Sequence, residues 1–125
     1  MFSGSLVALV TPIDNDGNVD YLSLGRLIDF HVKAGTDGLV LLGSTGEGWA
    51  FSDVEKLEIV DYSLKRVNGK MPIIVGIGEN STKNAVLSAQ KMKLLKVDGL
   101  LIICPFYNKP TQEGIYQHFL TIASS

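Results

Sequence analysis

Two short stretches of the sequence carry side chains that could bind or act on a small polar molecule. In the first, residues 43–48 read Gly-Ser-Thr-Gly-Glu-Gly, so the adjacent hydroxyls of Ser44 and Thr45 lie between glycines. Glycines let backbone N–H groups approach a ligand closely, and this combination suits a small carboxylate. No Gly-Lys-Ser/Thr follows at P-loop spacing. Spacing alone leaves a second interpretation open, a Gly-rich turn that merely joins a strand to a helix.

The second stretch, residues 104–110, reads Cys-Pro-Phe-Tyr-Asn-Lys-Pro and places two aromatic rings in a loop bounded by prolines. The Tyr107 phenol could relay a proton or donate a hydrogen bond to an oxyanion. Phe106 has no polar group, and aromatic packing at an interface is at least as good an interpretation for it. Cys104 has no neighbouring histidine and is expected to be a small buried residue.

Other residues that could do chemistry are less promising. Residues 76–81, Gly-Ile-Gly-Glu-Asn-Ser, begin like a dinucleotide-binding fingerprint but lack its third glycine, and no acidic residue ends a following strand. We therefore predict no nucleotide cofactor, and Asn80 or Ser81 is expected to cap a helix. His31 is expected at a core or helix-end position, and His118 has no second ligand at metal spacing. We predict no metal site.

The order of apolar segments shows what must position these residues. Four apolar runs, rich in Val, Leu and Ile and too short for helices, predict buried strands at residues 6–10, 39–42, 73–75 and 100–103. Segments with helical spacing follow them and predict amphipathic helices over residues 24–34, 54–67, 85–92 and 115–122. Ser52 and Glu55 form a capping box at the start of the second helix. Gly35 and Gly69 are expected to end the first two helices.

The alternation of strands and helices predicts an α/β fold with a parallel sheet and right-handed crossovers. The pattern leaves two architectures open, a doubly wound open sheet or about four βα units of a (β/α)8 barrel, whose full length is about 250 residues. In both, ligands bind beyond the carboxyl ends of the strands, so function is expected just after Val10, Leu42, Val75 and Ile103. Residues 37–42 and 98–103 nearly repeat each other, two βα units apart.

The composition is that of an ordinary globular α/β protein, and 125 residues are enough for a single domain over residues 1–125. The net charge of -2 includes no basic stripe, which argues against nucleic acid as a partner. No apolar run approaches the ~20 residues needed to span a membrane, and the N-terminus does not resemble a signal peptide. With a single cysteine, these features predict a cytoplasmic protein.

Several motifs together resemble the dihydrodipicolinate synthase and N-acetylneuraminate lyase superfamily of pyruvate-dependent class I aldolases. They are Gly-Ser-Thr-Gly-Glu at residues 43–47, Pro-Phe-Tyr-Asn-Lys-Pro-Thr-Gln-Glu-Gly at residues 105–114, Gly-Ser-Leu-Val-Ala-Leu-Val-Thr-Pro at residues 4–12 and Gly-Ile-Gly at residues 76–78. These motifs are spread along nearly the whole chain, from residue 4 to residue 114. The continuation over residues 108–114 is similar to the dihydrodipicolinate synthase branch.

The resemblance implies the N-terminal half of a TIM (β/α)8 barrel in a homotetramer that uses no cofactor. It also implies condensation of pyruvate with aspartate semialdehyde through a lysine Schiff base, on the route to diaminopimelate and lysine. Carried over residue by residue, Ser44 matches a proton-relay hydroxyl and Thr45 the residue that holds the pyruvate carboxylate. Tyr107 matches the relay tyrosine that reaches into a neighbouring subunit's site.

The chain departs from the family at several positions. The family usually has Thr at the position of Ser44, so the hydroxyl is kept but χ1 is less restrained. Phe106 stands where some relatives have a second Tyr. Asn84 stands where lysine-inhibited relatives have an acid, so feedback inhibition by lysine is not expected, although Asn80 matches.

A Schiff-base lysine must be desolvated and aimed at the mouth of the barrel. None of the nine lysines falls on a predicted strand, and in the family the nucleophile comes from a later strand, beyond residue 125. An open half-barrel would leave two exposed edges, so we expect a fragment of a longer enzyme or one half that must pair with another. The alternatives are a sialic acid or keto-acid lyase of the same superfamily and a non-catalytic half-barrel that serves as a scaffold or binding module.

Overall fold

The computed structural model describes residues 2–125 as four strands that alternate with four α-helices. The strands are β1 (Leu6–Ala8), β2 (Gly38–Leu41), β3 (Ile73–Ile77) and β4 (Gly99–Ile102). The helices are α1 (Tyr21–Ala34), α2 (Asp53–Val67), α3 (Thr82–Leu94) and α4 (Gln112–Ala123), with a short 3-10 helix at Gly48–Ala50. All eight predicted elements are therefore confirmed.

The four strands form one parallel sheet in the order β1-β2-β3-β4. A doubly wound sheet reverses its direction of growth at a switch point and carries helices on both faces, whereas this sheet adds each new strand at the same edge. Right-handed crossovers then place the connecting helices on one face. Of the two architectures that the sequence pattern leaves open, the structure has the half-barrel of four βα units.

The face of the sheet under the helices holds the hydrophobic core. Alternate residues of the first three strands pack there against α1 and α2, because successive strand residues point to opposite faces. They are Val7, Leu39, Leu41, Ile73 and Val75. A second, smaller cluster joins the end of β3 to α3 and α4 through Ile77, Ala85, Ala89 and Ile122.

The opposite face of the sheet is only partly covered by residues 2–125. Leu6, Leu101 and Ile103 are between 37% and 49% exposed. The Phe2 ring lies over Gly99, where an added side chain would come within 2.8 Å of it. The expectation of fully buried strands is therefore confirmed for most of β2 and β3 but wrong for the edge strands β1 and β4, since a complete (β/α)8 barrel covers these with further strands.

Side-chain caps mark the start of each helix. The predicted capping box is confirmed, because Ser52 caps the Glu55 N–H and the Glu55 carboxylate accepts from the Ser52 N–H at 2.7 Å. The Glu55 carboxylate also accepts a hydrogen bond from the Ser52 hydroxyl. This bond, followed by the one from the Ser52 N–H, holds the pKa of Glu55 below its ordinary value. Ser81 caps α3, which resolves the predicted choice between residues 80 and 81. Asp20 and Thr111 cap α1 and α4.

The helix ends use left-handed residues. Gly35 ends α1 with φ 72°, as predicted. At the end of α2 the left-handed cap is Asn68 with φ 49°, and Gly69 follows with φ 72°. The predicted stop at Gly69 is thus displaced by one residue, because asparagine also tolerates this conformation.

The near-repeat of residues 37–42 and 98–103 makes the same contact twice. The Asp37 carboxylate accepts from the Ser5 N–H at 2.7 Å, and the Asp37 N–H donates to the Ser5 carbonyl at 3.2 Å. Asp98 makes the same pair of hydrogen bonds with Ile73, at 2.8 and 3.0 Å. Each aspartate thus ties the beginning of its own strand to the strand that precedes it in the sheet.

The strand boundaries differ from those predicted. β1 ends at Ala8 instead of residue 10, and β3 continues to Ile77 instead of residue 75. β2 and β4 each begin and end one residue earlier than predicted. For β2 the physical reason is Leu42, whose φ of 56° takes the chain out of the sheet although its side chain continues the apolar run.

Candidate functional site

The loop after β2, residues 43–48, is here called the hydroxyl loop. Just before it, the buried Leu42 adopts a left-handed φ of 56°, a conformation that costs a non-glycine residue about 1–3 kcal/mol. This conformation turns the chain away from the sheet at the carboxyl end of the strand. The loop then folds back on itself, because the Glu47 N–H donates to the Ser44 carbonyl at 3.2 Å.

Three glycines let the hydroxyl loop lie against neighbouring backbone. A side chain at Gly46 would come within 2.9 Å of the Leu42 nitrogen and of the Leu9 carbonyl oxygen. A side chain at Gly76, on β3, would come within 2.7 Å of the Leu42 carbonyl oxygen, and one at Gly48 would overlap the same atom. The absence of a Cβ at these positions permits the close approach. The loop is therefore packed between the ends of β1 and β3.

A side-chain hydrogen bond adds to this packing. Thr11 follows β1, and its hydroxyl donates to the Gly46 carbonyl at 2.8 Å. Sequence reasoning expected functional residues after β1 but did not single out Thr11. The signal was weak because the partner of Thr11 lies 35 residues further along the chain.

Because the glycines face the sheet, Ser44 and Thr45 are exposed at its carboxyl edge. The structure therefore places both predicted hydroxyls side by side where a (β/α)8 barrel binds its ligands. Each hydroxyl can donate one hydrogen bond and accept others. This arrangement can hold a small anion and can also pass a proton to or from a bound ligand.

The loop after β4, residues 104–110, is here called the aromatic loop. Tyr107 is 97% exposed and has φ 69°. The Asn108 N–H donates to the Phe106 carbonyl at 2.8 Å and closes a three-residue turn around this tyrosine. Turns of this kind with a positive φ at the centre are rare and strained. In this turn the phenol points away from the packed part of the chain.

The structure brings Ser44 and Thr45 together but leaves Tyr107 apart from them. All three follow strands of one parallel sheet and so lie at the same edge. A ring that is 97% exposed has no packing among residues 2–125 that could hold it against either hydroxyl. Phe106, beside it, is 49% exposed. The two aromatic side chains form a surface suited to contact with another protein surface.

A cavity of about 90 Å³ lies beside the hydroxyl loop, between the carboxyl ends of the strands and helices α2 and α3. Ser44 and Trp49 line it, and Trp49 is also 64% exposed, so this indole has one side on the cavity and the other in solvent. The ionisable groups that line the cavity come from both helices and from the β3 end. They are Asp53, Lys56, Glu79 and Lys91.

The charges of this cavity are partly paired. The Lys91 ammonium donates to the Asp53 carboxylate at 2.7 Å and thereby links α3 to the first turn of α2. Lys56 lies 4.0 Å from the same carboxylate. The hydrogen bond from Lys91 is the main reason that the pKa of Asp53 lies below its ordinary value of 3.8. Asp53 is therefore ionised at neutral pH and is better suited to an ion pair than to proton transfer.

The remaining candidates occupy structural positions, with one correction. His31 is in the last turn of α1 and lies 3.0 Å from the Thr36 hydroxyl, which confirms a helix-end position. His118 is buried and lies 2.9 Å from the Thr82 hydroxyl, so it joins α4 to α3. Cys104 is exposed, contrary to prediction, because β4 ends at residue 102 and Cys104 belongs to the aromatic loop.

The nine lysines all lie on helices or in loops, as predicted. Within residues 2–125, no group of three or more His, Cys, Asp and Glu side chains is arranged to hold a metal ion. Among the helices of the same residues, none combines the length and the apolar character needed to cross a membrane.

Comparisons with known proteins agree with this geometry. The model of the dihydrodipicolinate synthetase family matches residues 1–125. The 4-hydroxy-tetrahydrodipicolinate synthases of Pseudomonas putida (strain W619) and Bacillus subtilis (strain 168) are 48% and 46% identical over 100% and 98% of this chain. The matches span 43% and 42% of those proteins, so the chain has less than half the length of these relatives.

A solved structure gives the same result at the level of the fold. The chloride-inhibited dihydrodipicolinate synthase of Acinetobacter baumannii, crystallised with pyruvate, superposes with a TM-score of 0.97 at 42% identity. The superposition covers 99% of this chain and 43% of that one. The sequence match over every residue and the matching half-barrel lead to one conclusion: the chain belongs to the dihydrodipicolinate synthetase family.

Proposed function

We propose that this chain forms the N-terminal half of a Schiff-base aldolase that condenses pyruvate with aspartate semialdehyde to give 4-hydroxy-tetrahydrodipicolinate. The product lies on the route to diaminopimelate and lysine. The relatives of Pseudomonas putida and Bacillus subtilis are 4-hydroxy-tetrahydrodipicolinate synthases, which supports this assignment over a sialic acid lyase of the same superfamily. The proposal places the protein in the cytoplasm. Residues 1–125 form one domain unit, a partial barrel that further strands continue.

The observation that carries the proposal is the pair of exposed hydroxyls on a tightly packed loop. Ser44 and Thr45 project from the carboxyl edge of the sheet, while Gly46 behind them is buried against the backbone of two strands. A site that must hold a small substrate in one orientation needs side chains on a rigid support. The crystal structure of the Acinetobacter baumannii relative contains pyruvate, which supports a keto acid as the ligand of this family.

Within this proposal Thr45 binds the pyruvate carboxylate through its hydroxyl and the neighbouring backbone N–H groups. A hydrogen bond between a neutral donor and a carboxylate is stronger than one between neutral groups. This interaction holds the ketone carbon of pyruvate in a fixed position above the strand ends. Binding of this kind lowers KM for pyruvate without taking part in the proton transfers.

Ser44 and Tyr107 supply the proton relay in the proposed mechanism. A hydroxyl and a phenol that are hydrogen-bonded in series can pass a proton from one end to the other, since each donates and accepts. Tyr107 is 97% exposed and is not held against Ser44 in this chain. We therefore assign Tyr107 to the site of a neighbouring subunit in a homotetramer. The relay of each site is then completed by the Tyr107 of its neighbour.

The nucleophilic lysine must come from outside residues 1–125. Each of the nine lysines of this chain lies on a helix or in a loop, and the open face of the sheet offers room for further strands. Imine formation needs a lysine whose amine is neutral near pH 7, which requires desolvation at the mouth of a closed barrel. The half-barrel thus contributes substrate binding and proton transfer, and the remaining strands contribute the imine.

The test is borohydride trapping of the purified protein with pyruvate, followed by intact-mass measurement. If the proposal is right, the protein has a mass well above the 13.5 kDa of these residues and carries one reduced pyruvate per chain. Acetate serves as the control ligand, because it has the carboxylate but no ketone that could form an imine. A chain of 13.5 kDa without an adduct would contradict the catalytic proposal and favour a non-catalytic half-barrel.

A further inference from the structure

Thr11 lies outside the set of hydroxyls that the proposed mechanism uses. It follows β1, and its side chain crosses to the hydroxyl loop, where it donates to the Gly46 carbonyl at 2.8 Å. This carbonyl belongs to the residue directly after Thr45 in the chain. We propose that Thr11 is a positioning residue that sets the orientation of the Ser44–Thr45 turn and thereby the affinity for pyruvate. The inference rests on the proposed function.

The surroundings of Gly46 explain why one hydrogen bond can have this effect. Gly46 is buried, and a side chain there would come within 2.9 Å of both the Leu9 carbonyl oxygen and the Leu42 nitrogen. Translation of the loop toward the sheet is therefore blocked. The peptide plane that carries the Gly46 carbonyl is held at both of its polar groups. Its N–H, that of Glu47, donates to the Ser44 carbonyl at 3.2 Å, and its carbonyl accepts from the Thr11 hydroxyl at 2.8 Å.

The hydroxyl bond is also the side-chain contact that couples the end of β1 to the hydroxyl loop. Backbone packing and two turn bonds also hold the loop, from the Glu47 N–H to the Ser44 carbonyl at 3.2 Å and from the Gly48 N–H to the Gly43 carbonyl at 3.4 Å. A part-buried carbonyl that loses its donor tends to rotate toward water. The same peptide carries the Glu47 N–H, so its rotation also disrupts the turn bond to the Ser44 carbonyl.

This geometry predicts a separation of kinetic parameters. The Thr45 hydroxyl and the adjacent backbone bind the carboxylate of pyruvate, whereas the aldehyde enters after the imine has formed. Displacement of the turn weakens pyruvate binding and disturbs the Ser44 relay hydroxyl, but it leaves binding of the aldehyde unchanged. A residue that only stabilised the fold would lower the amount of active protein and leave both KM values unchanged.

The experiment compares Thr11→Val with Thr11→Ser in the protein at its native length. Valine keeps the β-branched shape and removes the donor, and we expect KM for pyruvate to rise about three- to tenfold, the change that loss of one hydrogen bond produces. KM for the aldehyde is expected to stay within about twofold, whereas kcat is expected to fall because the Ser44 relay hydroxyl lies on the same turn. Serine keeps the donor and is expected to restore KM for pyruvate.

Thr36→Val is the matched control, because Thr36 also makes one part-buried side-chain hydrogen bond, to His31 at 3.0 Å, but at the amino end of the sheet. It is expected to leave KM for pyruvate unchanged. The inference is overturned if Thr11→Val leaves KM for pyruvate unchanged, raises both KM values equally, or is matched by Thr36→Val. It is also overturned if Thr11→Ser does not restore binding. An unaltered protein that turns over no pyruvate would instead refute the proposed function itself, and the positioning role with it.

Discussion

The hydroxyl loop and the aromatic loop leave the same edge of the sheet but are held in different ways. The hydroxyl loop is packed against backbone at Gly46, Gly48 and Gly76, and its conformation is determined within this chain. The aromatic loop has a strained turn at Tyr107, which is 97% exposed. The first loop therefore holds its conformation through contacts within this chain, whereas the second presents a side chain that packs against nothing among residues 2–125.

The largest expected effect is on the aromatic loop. Tyr107→Phe keeps the ring and the turn but removes the phenolic hydroxyl. We expect kcat to fall about 10²-fold or more, since positioned proton transfer contributes at least that much. KM for pyruvate is expected to change little. Steady-state kinetics of the protein at its native length would measure both parameters.

Tyr116→Phe is a matched control for this variant, because Tyr116 is 59% exposed on α4 and stands outside the proposed relay. Its kcat is expected to equal that of the unaltered protein. Equal losses in the two variants, or no loss at position 107, would remove Tyr107 from the mechanism and reduce the aromatic loop to a packing surface.

The next effect concerns the packed loop and is one of stability. Gly76→Ala would place a Cβ within 2.7 Å of the Leu42 carbonyl oxygen and within 2.8 Å of the Gly43 backbone, and backbone atoms have little room to adjust. We expect the free energy of unfolding to fall by about 1–3 kcal/mol, as for other overpacked positions. Chemical denaturation monitored by circular dichroism would measure the change.

Gly78→Ala tests the same comparison two residues later, where the loop no longer crosses the strand. An added Cβ there would lie 3.6 Å from the end of the Ile103 side chain, an ordinary contact. Its cost is expected to stay within about 0.5 kcal/mol. If both variants were equally tolerated, the hydroxyl loop would be more mobile than the packing indicates, and its contrast with the aromatic loop would disappear.

The sequence predicted the elements of the fold better than their ends. The capping box of Ser52 and Glu55 and the glycine stop at Gly35 are local signals, so they could be read directly and are confirmed. The left-handed Leu42 could not be predicted, because its side chain continues the apolar pattern of β2 while its backbone already leaves the sheet. Tertiary contacts with neighbouring backbone decide that conformation.

In the candidate site, too, local signals could be read from the sequence and long-range contacts could not. Flanking glycines identified Ser44 and Thr45, and both are exposed at the expected edge. Thr11 was missed because its bond to Gly46 spans 35 residues and has no local pattern. Cys104 was wrongly expected to be buried, because a short aliphatic run does not show at which residue the strand ends. Long-range contacts of this kind become visible only in the folded chain.

The smallest effect lies beneath the hydroxyl loop, at the ion pair between Asp53 and Lys91. Lys91→Gln removes the hydrogen bond that holds the pKa of Asp53 below 3.8. A lowered carboxyl pKa adds stability that is fully present above the unfolded value and is lost as the pH falls through the lower folded value. Both side chains are about half exposed, so solvent screening limits the contribution to less than about 1 kcal/mol.

The measurement is the unfolding free energy of the unaltered protein and of Lys91→Gln at neutral pH and again below the pKa of Asp53. The difference is expected to be small at neutral pH and to approach zero in acid, because a protonated Asp53 no longer attracts the ammonium. Lys83→Gln is the control on the same helix, since Lys83 is exposed and takes part in none of the ion pairs among residues 2–125. A difference that grows in acid, or that is the same for both lysines, would show that this ion pair does not tie α3 to the first turn of α2.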